Sequence, residues 1–214
     1  MNVLSRISLR AQIKEILLKR ILNGEYKPGD RLVEMQIAQE LGTSQAPVRE
    51  SLRELEALGF VESEPYRGTR VREVTKEELT EIYPVRAALE DVAARAAARR
   101  LAGNVEALEA ELAAMHREAD KGDLYEQVRH DVNFHRLIVE ASGNRVLLEV
   151  WKSLRIEART LISAIATELG PYELAERHRP VLEALAAGDS ERAGTLIRQH
   201  VEFFGELIRK GGSE

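Results

Sequence analysis

Cysteine is absent from the 214 residues, which excludes disulfides and thiolate metal sites and fits a reducing compartment best. No stretch of about 18 apolar residues occurs, and the N-terminus lacks a continuous apolar core. Neither a membrane span nor a signal peptide is therefore expected, and the expected location is cytoplasmic. Proline (6 residues) and aromatics (5%) are scarce, while Ala, Leu, Glu and Arg are plentiful, as in a largely helical protein. A basic excess is missing too. The net charge is −5; residues 1–74 hold 12 Lys+Arg against 11 Asp+Glu, and the remainder holds 19 against 25. Any affinity for nucleic acid must come from a local patch and from dimerisation rather than from bulk charge.

What is present centres on residues 31–60. Ile37, Ala38 and Leu41 form an apolar helical face, and Gly42 follows where a left-handed cap belongs. Ser44 offers an N-cap oxygen, and Pro47 falls in the first turn of a second helix. In that helix Val48, Leu52 and Leu55 recur at i, i+4 and i+7 and face a core. Gln45, Ala46, Arg49 and Arg53 occupy the other face, with the two arginines one turn apart. The pattern reads as a helix-turn-helix with a polar recognition helix; an ordinary helical hairpin with solvated arginines is the alternative. Downstream, Phe60-Val61 and Thr69-Val71 are β-prone runs around Pro65-Tyr66-Arg67-Gly68. They predict a two-stranded wing with Arg67 and Arg70 at its tip.

Upstream, Leu9, Ile13, Ile16, Leu17 and Ile21 predict an amphipathic helix capped by Ser8 and ended by Asn23-Gly24. Beyond Val74 every signal is helical. Six helices are predicted, over 76–102, 105–120, 123–141, 145–168, 172–187 and 190–210. They are separated by Gly103-Asn104, Gly122-Asp123, Ser142-Gly143-Asn144, Gly170-Pro171 and Gly188-Asp189. Pro84 is expected to kink the first of them or to set off a leading turn. The expected fold is mainly α: a winged helix-turn-helix domain over 1–74 and an all-α six-helix bundle over 75–214.

Polar side chains interrupt stripes that must face the bundle core. These are Asp131 and His135 among Leu124, Val128 and Ile138; His178 among Leu174, Val181 and Leu185; and His200 among Ala193, Leu196, Phe204 and Leu207. Burying a carboxylate and three imidazoles unpaired costs several kcal/mol or more, and a divalent metal held by all four removes that cost. Separately satisfied histidines are the alternative. His116 and His130 lie beside or off their stripes and stay outside this set. Arg86, on the stripe Ile82, Leu89, Ala93 and Ala96, either pairs with Glu90 one turn on or clamps a ligand carboxylate, with Arg155 and Arg159 as further candidates.

These residues resemble the GntR family of bacterial transcription regulators, in the FadR subfamily with an FCD effector domain. In the first domain the resemblance rests on ILNGEYKPGDRLVE, IAQELGTSQAPVRESLRELEALGFVE and YRGTRV; in the second, on VRAALE, DVNFHRLIVEASGN, ERHRPVLEALAAGD and LIRQHV. Six bundle helices point to the VanR-like branch. The resemblance implies a homodimer on a palindromic double-stranded operator, with the recognition helix in the major groove and the wing in the minor groove. Ser44, Gln45, Ala46, Arg49, Arg53, Arg67 and Gly68 would meet DNA. It also implies a small carboxylate effector over a divalent ion (Zn, Ni, Mn or Fe) on Asp131, His135, His178 and His200, with Arg86 facing the effector; Arg155 is carried as an effector candidate on its place in the chain alone. Most such regulators are repressors. Gln45 departs from the arginine many relatives carry there, and Ala46 from a common Thr or Gly; Gln favours adenine where Arg favours guanine. Metal sensing without an organic acid, or metal-dependent hydrolysis, are the rival readings.

Overall fold

A computed structural model describes residues 8–64 and 67–210, and the chain divides into two units, Met1–Glu73 and Val74–Glu214. In the first, α1 (Leu9–Leu22) starts where the Ser8 hydroxyl accepts a hydrogen bond from the Ala11 N–H at 3.2 Å. Ile13, Leu17 and Leu18 form its buried side, while Leu9 and Ile16 of the expected stripe stay exposed. α2 (Glu34–Glu40) and α3 (Gln45–Ala57) follow, and Gly42 between them takes the left-handed conformation (φ 63°) that glycine adopts without strain. Ser44 stands at the N-cap of α3 in extended conformation, but its side chain makes no cap hydrogen bond, contrary to the expectation. Val48, Leu52 and Leu55 are buried as their spacing requires, and the buried Ser51 hydroxyl donates to Arg10 O (2.7 Å) and Pro47 O (2.8 Å), tying α3 to α1.

β2 (Val61–Glu64) and β3 (Gly68–Val71) form the wing, antiparallel with Val61 opposite Val71 and Glu64 opposite Gly68. The sheet has a third strand that the sequence pattern did not announce. β1 (Arg31–Leu32) pairs with β3 on its far edge, and two residues are too few to show an alternation. Pro65 and Tyr66 lie outside the described residues.

The described residues of the second unit hold eight helical segments where six were expected: α4 (Lys76–Leu101), α5 (Glu106–Lys121), α6 (Leu124–Ala141), α7 (Arg145–Ser153), α8 (Ile156–Ile165), α9 (Pro171–Glu176), α10 (Arg179–Ala186) and α11 (Ser190–Lys210). Two predicted rods are each broken once. The first breaks at Leu154-Arg155, where Arg155 is the one non-glycine among the described residues with positive φ (46°). The Arg159 guanidinium donates to the carbonyls of Leu154 and Arg155 there, filling acceptors that a continuous helix would use. The second breaks at Arg177-His178, because Pro180 has no N–H to return to Glu176. α4 runs through Pro84 as one helix.

α4 and α11 lie side by side at close range. A Cβ on Gly205 would sit 2.9 Å from Tyr83 Cβ, and one on Gly194 would strike the Asp91 carboxylate. Asp91 holds this seam, accepting from Arg95 (2.5 Å) and from Arg198 Nη2 (2.8 Å). Burial alone would push the Asp91 carboxyl up, but Arg198 and Arg95 outweigh it and hold it below the usual carboxylate range. A depressed folded pKa contributes stability that is present above the unfolded value, about 3.9, and lost as pH falls below it. Asp91→Asn is therefore expected to lower the melting temperature at neutral pH, with the gap to the parent narrowing as the pH falls below about 3.9. Melting curves across that range check it, and a gap that widened with acid would contradict it.

Candidate metal centre and effector cavity

Three elements bring the inward-facing set together. Asp131 and His135 leave one face of α6, one turn apart; His178 sits at the α9–α10 break; His200 comes from α11. His135, His178 and His200 are buried, with ring centroids 5.3 Å (His135–His178), 5.1 Å (His135–His200) and 4.4 Å (His178–His200) apart. Phe134, fully buried, braces the His178 ring edge-on at 5.0 Å. One ligand-type atom from each of the four side chains lies within 4.8 Å of all the others. Two ligands of one ion at about 2.1 Å each stand about 3.4 Å apart in a tetrahedron and at most about 4.2 Å, so shifts of up to roughly an ångström would close the set.

The hydrogen bonds around the rings decide whether a metal suits them. His135 Nδ1 is 2.6 Å from Glu90 Oε2, and His178 Nδ1 is 3.1 Å from the Ala175 carbonyl. Both partners are acceptors, so the network assigns the proton to Nδ1 in each ring and leaves a lone pair on each Nε2. Those Nε2 atoms, with Asp131 Oδ2 and His200 Nδ1, are buried and without a hydrogen-bond partner. His178 Nε2 even faces Asp131 Oδ1 at 2.9 Å, two electron-rich atoms that need a cation or a proton between them. Burial, with His178 and His135 beside it, holds the His200 imidazole well below its usual pKa, hence neutral. Burial would raise the Asp131 carboxyl, but the contact with His178 and the fields of His135 and Arg86 bring it well below the usual range. His200 neutral and Asp131 ionised are the states in which these groups ligate a divalent ion, and the Nδ1 contacts of His135 and His178 turn each Nε2 toward the same point, so the residues fit one.

Glu90 is the residue the sequence pattern undervalued. It is fully buried on α4 and accepts from Arg86 Nε (2.7 Å), Trp151 Nε1 (2.8 Å) and His135 Nδ1 (2.6 Å). Burial disfavours its charge, and Arg86 and His135 more than restore it. It is at once the salt-bridge partner foreseen for Arg86 and the carboxylate that orients His135, the arrangement that fixes the tautomer of metal-bound histidines. Its position one turn beyond Arg86 was the available signal.

Beside the cluster lies a cavity in which the centre of a water-sized sphere can range over about 30 Å³. Arg86, Asp131 and His200 line it together with Tyr83, Thr160 and Gln127; much of the remaining wall is Met115, Leu124, Val128, Leu174 and Phe204. Arg86 reaches Thr160 Oγ1 at 3.2 Å, and burial, which works against its charge, is outweighed by Glu90 and Asp131. Arg155 and Arg159 depart from expectation. Arg155 is exposed at the helix break, which turns its side chain away from the cavity wall, and Arg159 spends its guanidinium on Glu78 (2.6 Å) and on the carbonyls of that break. His116 and His130 stand apart, beside Glu176 (2.7 Å) and Glu111 (2.6 Å).

In the first unit, Ser44, Gln45, Ala46, Arg49 and Arg53 are exposed at the start and along one face of α3, and Arg67 and Gly68 are exposed on the wing. Each arginine is paired locally: Arg49 with Glu34 of α2 through Nε (3.0 Å) and Nη2 (2.7 Å), Arg53 with Glu50 (2.8 Å), and Arg67 with Glu64 (3.0 Å).

Comparison with known proteins agrees with both units. Residues 9–71 match the model of the bacterial regulatory proteins of the gntR family, and residues 81–203 match the FCD domain. The chain is 38% identical over 198 residues to a probable D-xylose utilization operon transcriptional repressor of Paenarthrobacter nicotinovorans, covering 92% of this chain and 88% of that one. It is 30% identical over 204 residues to the HTH-type transcriptional regulator LutR of Bacillus subtilis, covering 85% and 92%. Among solved structures, E. coli McbR/YncC superposes with a TM-score of 0.69 at 27% identity, covering 95% of this chain and 98% of that one. No described helix is long and apolar enough to cross a membrane. With a winged helix-turn-helix head and an FCD helical domain, the chain belongs to the GntR family of bacterial DNA-binding transcription regulators, in its FadR-like branch, and not to the enzymes.

Proposed function

We propose that this regulator is a repressor, acting in the cytoplasm, that senses a small organic carboxylate bound at a divalent ion in its helical domain. The observation that carries the reading is the convergence of four partnerless buried ligand atoms, on Asp131, His135, His178 and His200, beside a cavity walled by Arg86. Those four side chains would hold the ion, for which Zn, Ni, Mn and Fe are all suitable, and the ion would supply a positive centre for the effector's carboxylate. Arg86, pinned by Glu90, presents a planar donor set to the same carboxylate. Glu90 keeps the His135 ring turned toward the ion, and Phe134 stops the His178 ring from swinging out. The repressor assignment follows the relative so named.

The head would read an operator through Ser44, Gln45 and Ala46 at the start of α3, and hold phosphates through Arg49, Arg53, Arg67 and the Gly68 backbone. Homodimerisation through the helical unit suits the apolar side chains left exposed there, Val85 and Val92 on α4 and Val146 and Val150 on α7.

Fluorescence anisotropy on a labelled fragment from the gene's own upstream region tests the reading. One member of a panel of small carboxylates is expected to weaken binding by about 5–150-fold, the usual span of allosteric coupling, only with metal bound, and Arg86→Gln is expected to abolish the response. If affinity instead follows metal concentration and ignores every acid, the ion itself is the signal.

A further inference from the structure

The cavity contains one more unsatisfied group, which lies outside the metal set and which neither the metal nor a carboxylate would satisfy. Gln127, on α6, is 3% exposed and lines the cavity. Its Nε2 donates to the Pro171 carbonyl at 2.5 Å, which fixes the amide's orientation, since a carbonyl accepts only from the nitrogen side. Oε1 is thereby committed as the acceptor, and it is buried with no hydrogen-bond partner. The polar neighbours are already engaged: the Tyr83 hydroxyl donates to Ser163 Oγ (2.7 Å), and Arg86 donates to Glu90 and Thr160. Around Gln127 the wall is apolar, with Met115, Leu124, Val128 and Leu174. A buried acceptor left bare is costly, so a ligand that brings a donor to it gains relative to one that brings a C–H.

Position constrains where that donor must be. Gln127 precedes Asp131 by four residues on α6, so the two side chains leave the same face about 6 Å apart along the axis. We propose that the effector is a monohydroxy carboxylic acid whose hydroxyl lies about one helical turn from its carboxylate and donates to Gln127 Oε1, making Gln127 the specificity-determining residue of the cavity. This rests on the carboxylate reading given above and narrows it. A polyol acid carries further hydroxyls that Met115, Leu124 and Leu174 leave unpaired, and is disfavoured for the same reason that a bare Oε1 is.

Matched acids that differ only in the distal hydroxyl test the proposal by calorimetry on the full-length, zinc-loaded protein: γ-hydroxybutyrate against butyrate and para-hydroxybenzoate against benzoate, with gluconate as the polyol. In at least one pair the hydroxylated acid is expected to bind about tenfold tighter or more, and tighter than gluconate. In Gln127→Met, checked for folding by circular dichroism, the ratio is expected to fall to about one through tighter binding of the deoxy acid. The parent protein's own ratio needs no variant. Equal affinity for both members of each pair, or a preference that survives Gln127→Met, overturns the donor role and leaves the carboxylate reading standing. If no acid of either kind binds while zinc does, both are overturned.

Discussion

Removing the ion from the metal-loaded protein is expected to lower its melting temperature by roughly 5–10 °C. An ion present at about a hundred times its dissociation constant adds about 2.7 kcal/mol to the folded state, and each kcal/mol moves the midpoint by about 2–4 °C in a chain of this size. The sign follows from the cluster itself. Without a cation, the lone pairs of Asp131, His135, His178 and His200 face one another in a buried space, and with one they are joined. Such an ion would also tie α6 to α11 and to the α9–α10 break. His178→Ala or His200→Ala is expected to abolish the response, so that melting with and without chelator coincides. Calorimetric scans of the zinc-loaded and chelated protein make the comparison, and equal midpoints in the parent would remove the ion from the account.

The other large effect is expected at Glu90. Glu90→Leu strands the Arg86 guanidinium, the Trp151 indole N–H and the His135 Nδ1–H in one buried space. Breaking a buried ion pair by deleting one partner costs about 3–5 kcal/mol, which lowers the midpoint by roughly 6–20 °C at the slope used above. The double variant Arg86→Met, Glu90→Leu is expected to recover part of that loss, because replacing both charges by apolar groups removes the uncompensated one. Recovery stays incomplete while Trp151 and His135 lack their acceptor. Denaturant unfolding of the two single variants and the double gives the coupling directly; an additive result would mean that Arg86 does not depend on Glu90.

The recognition helix and its neighbours were legible because their signals are local: apolar spacing, Gly42 where a left-handed residue is needed, Pro47 in a first turn. The convergence of Asp131, His135, His178 and His200 was legible for a related reason, since a polar residue on an apolar stripe is conspicuous wherever its helix goes. What escaped depended on tertiary partners. Nothing at Leu154-Arg155 reads as a stop, because the break is held by Arg159, four residues on, and by the burial of Trp151. The Arg177-His178 break did carry a signal in Pro180, and an uninterrupted apolar stripe concealed it. Arg155 was misplaced for the same cause, since a side chain assigned to a continuous helix points elsewhere once the helix ends. Glu90 read as an ordinary i, i+4 partner because two of its three donors come from distant α6 and α7.

The carboxylates beside the head's arginines have a consequence for how the protein searches a chromosome. Arg49, Arg53 and Arg67, proposed above to hold phosphates, are paired with Glu34, Glu50 and Glu64, so each such contact would displace a partner instead of filling a vacancy. At random sequence nothing offsets that exchange, and residence there is brief. At the matching site, base contacts from the start of α3 tip the balance. A head with a net charge of only +1 would therefore dwell briefly on irrelevant DNA.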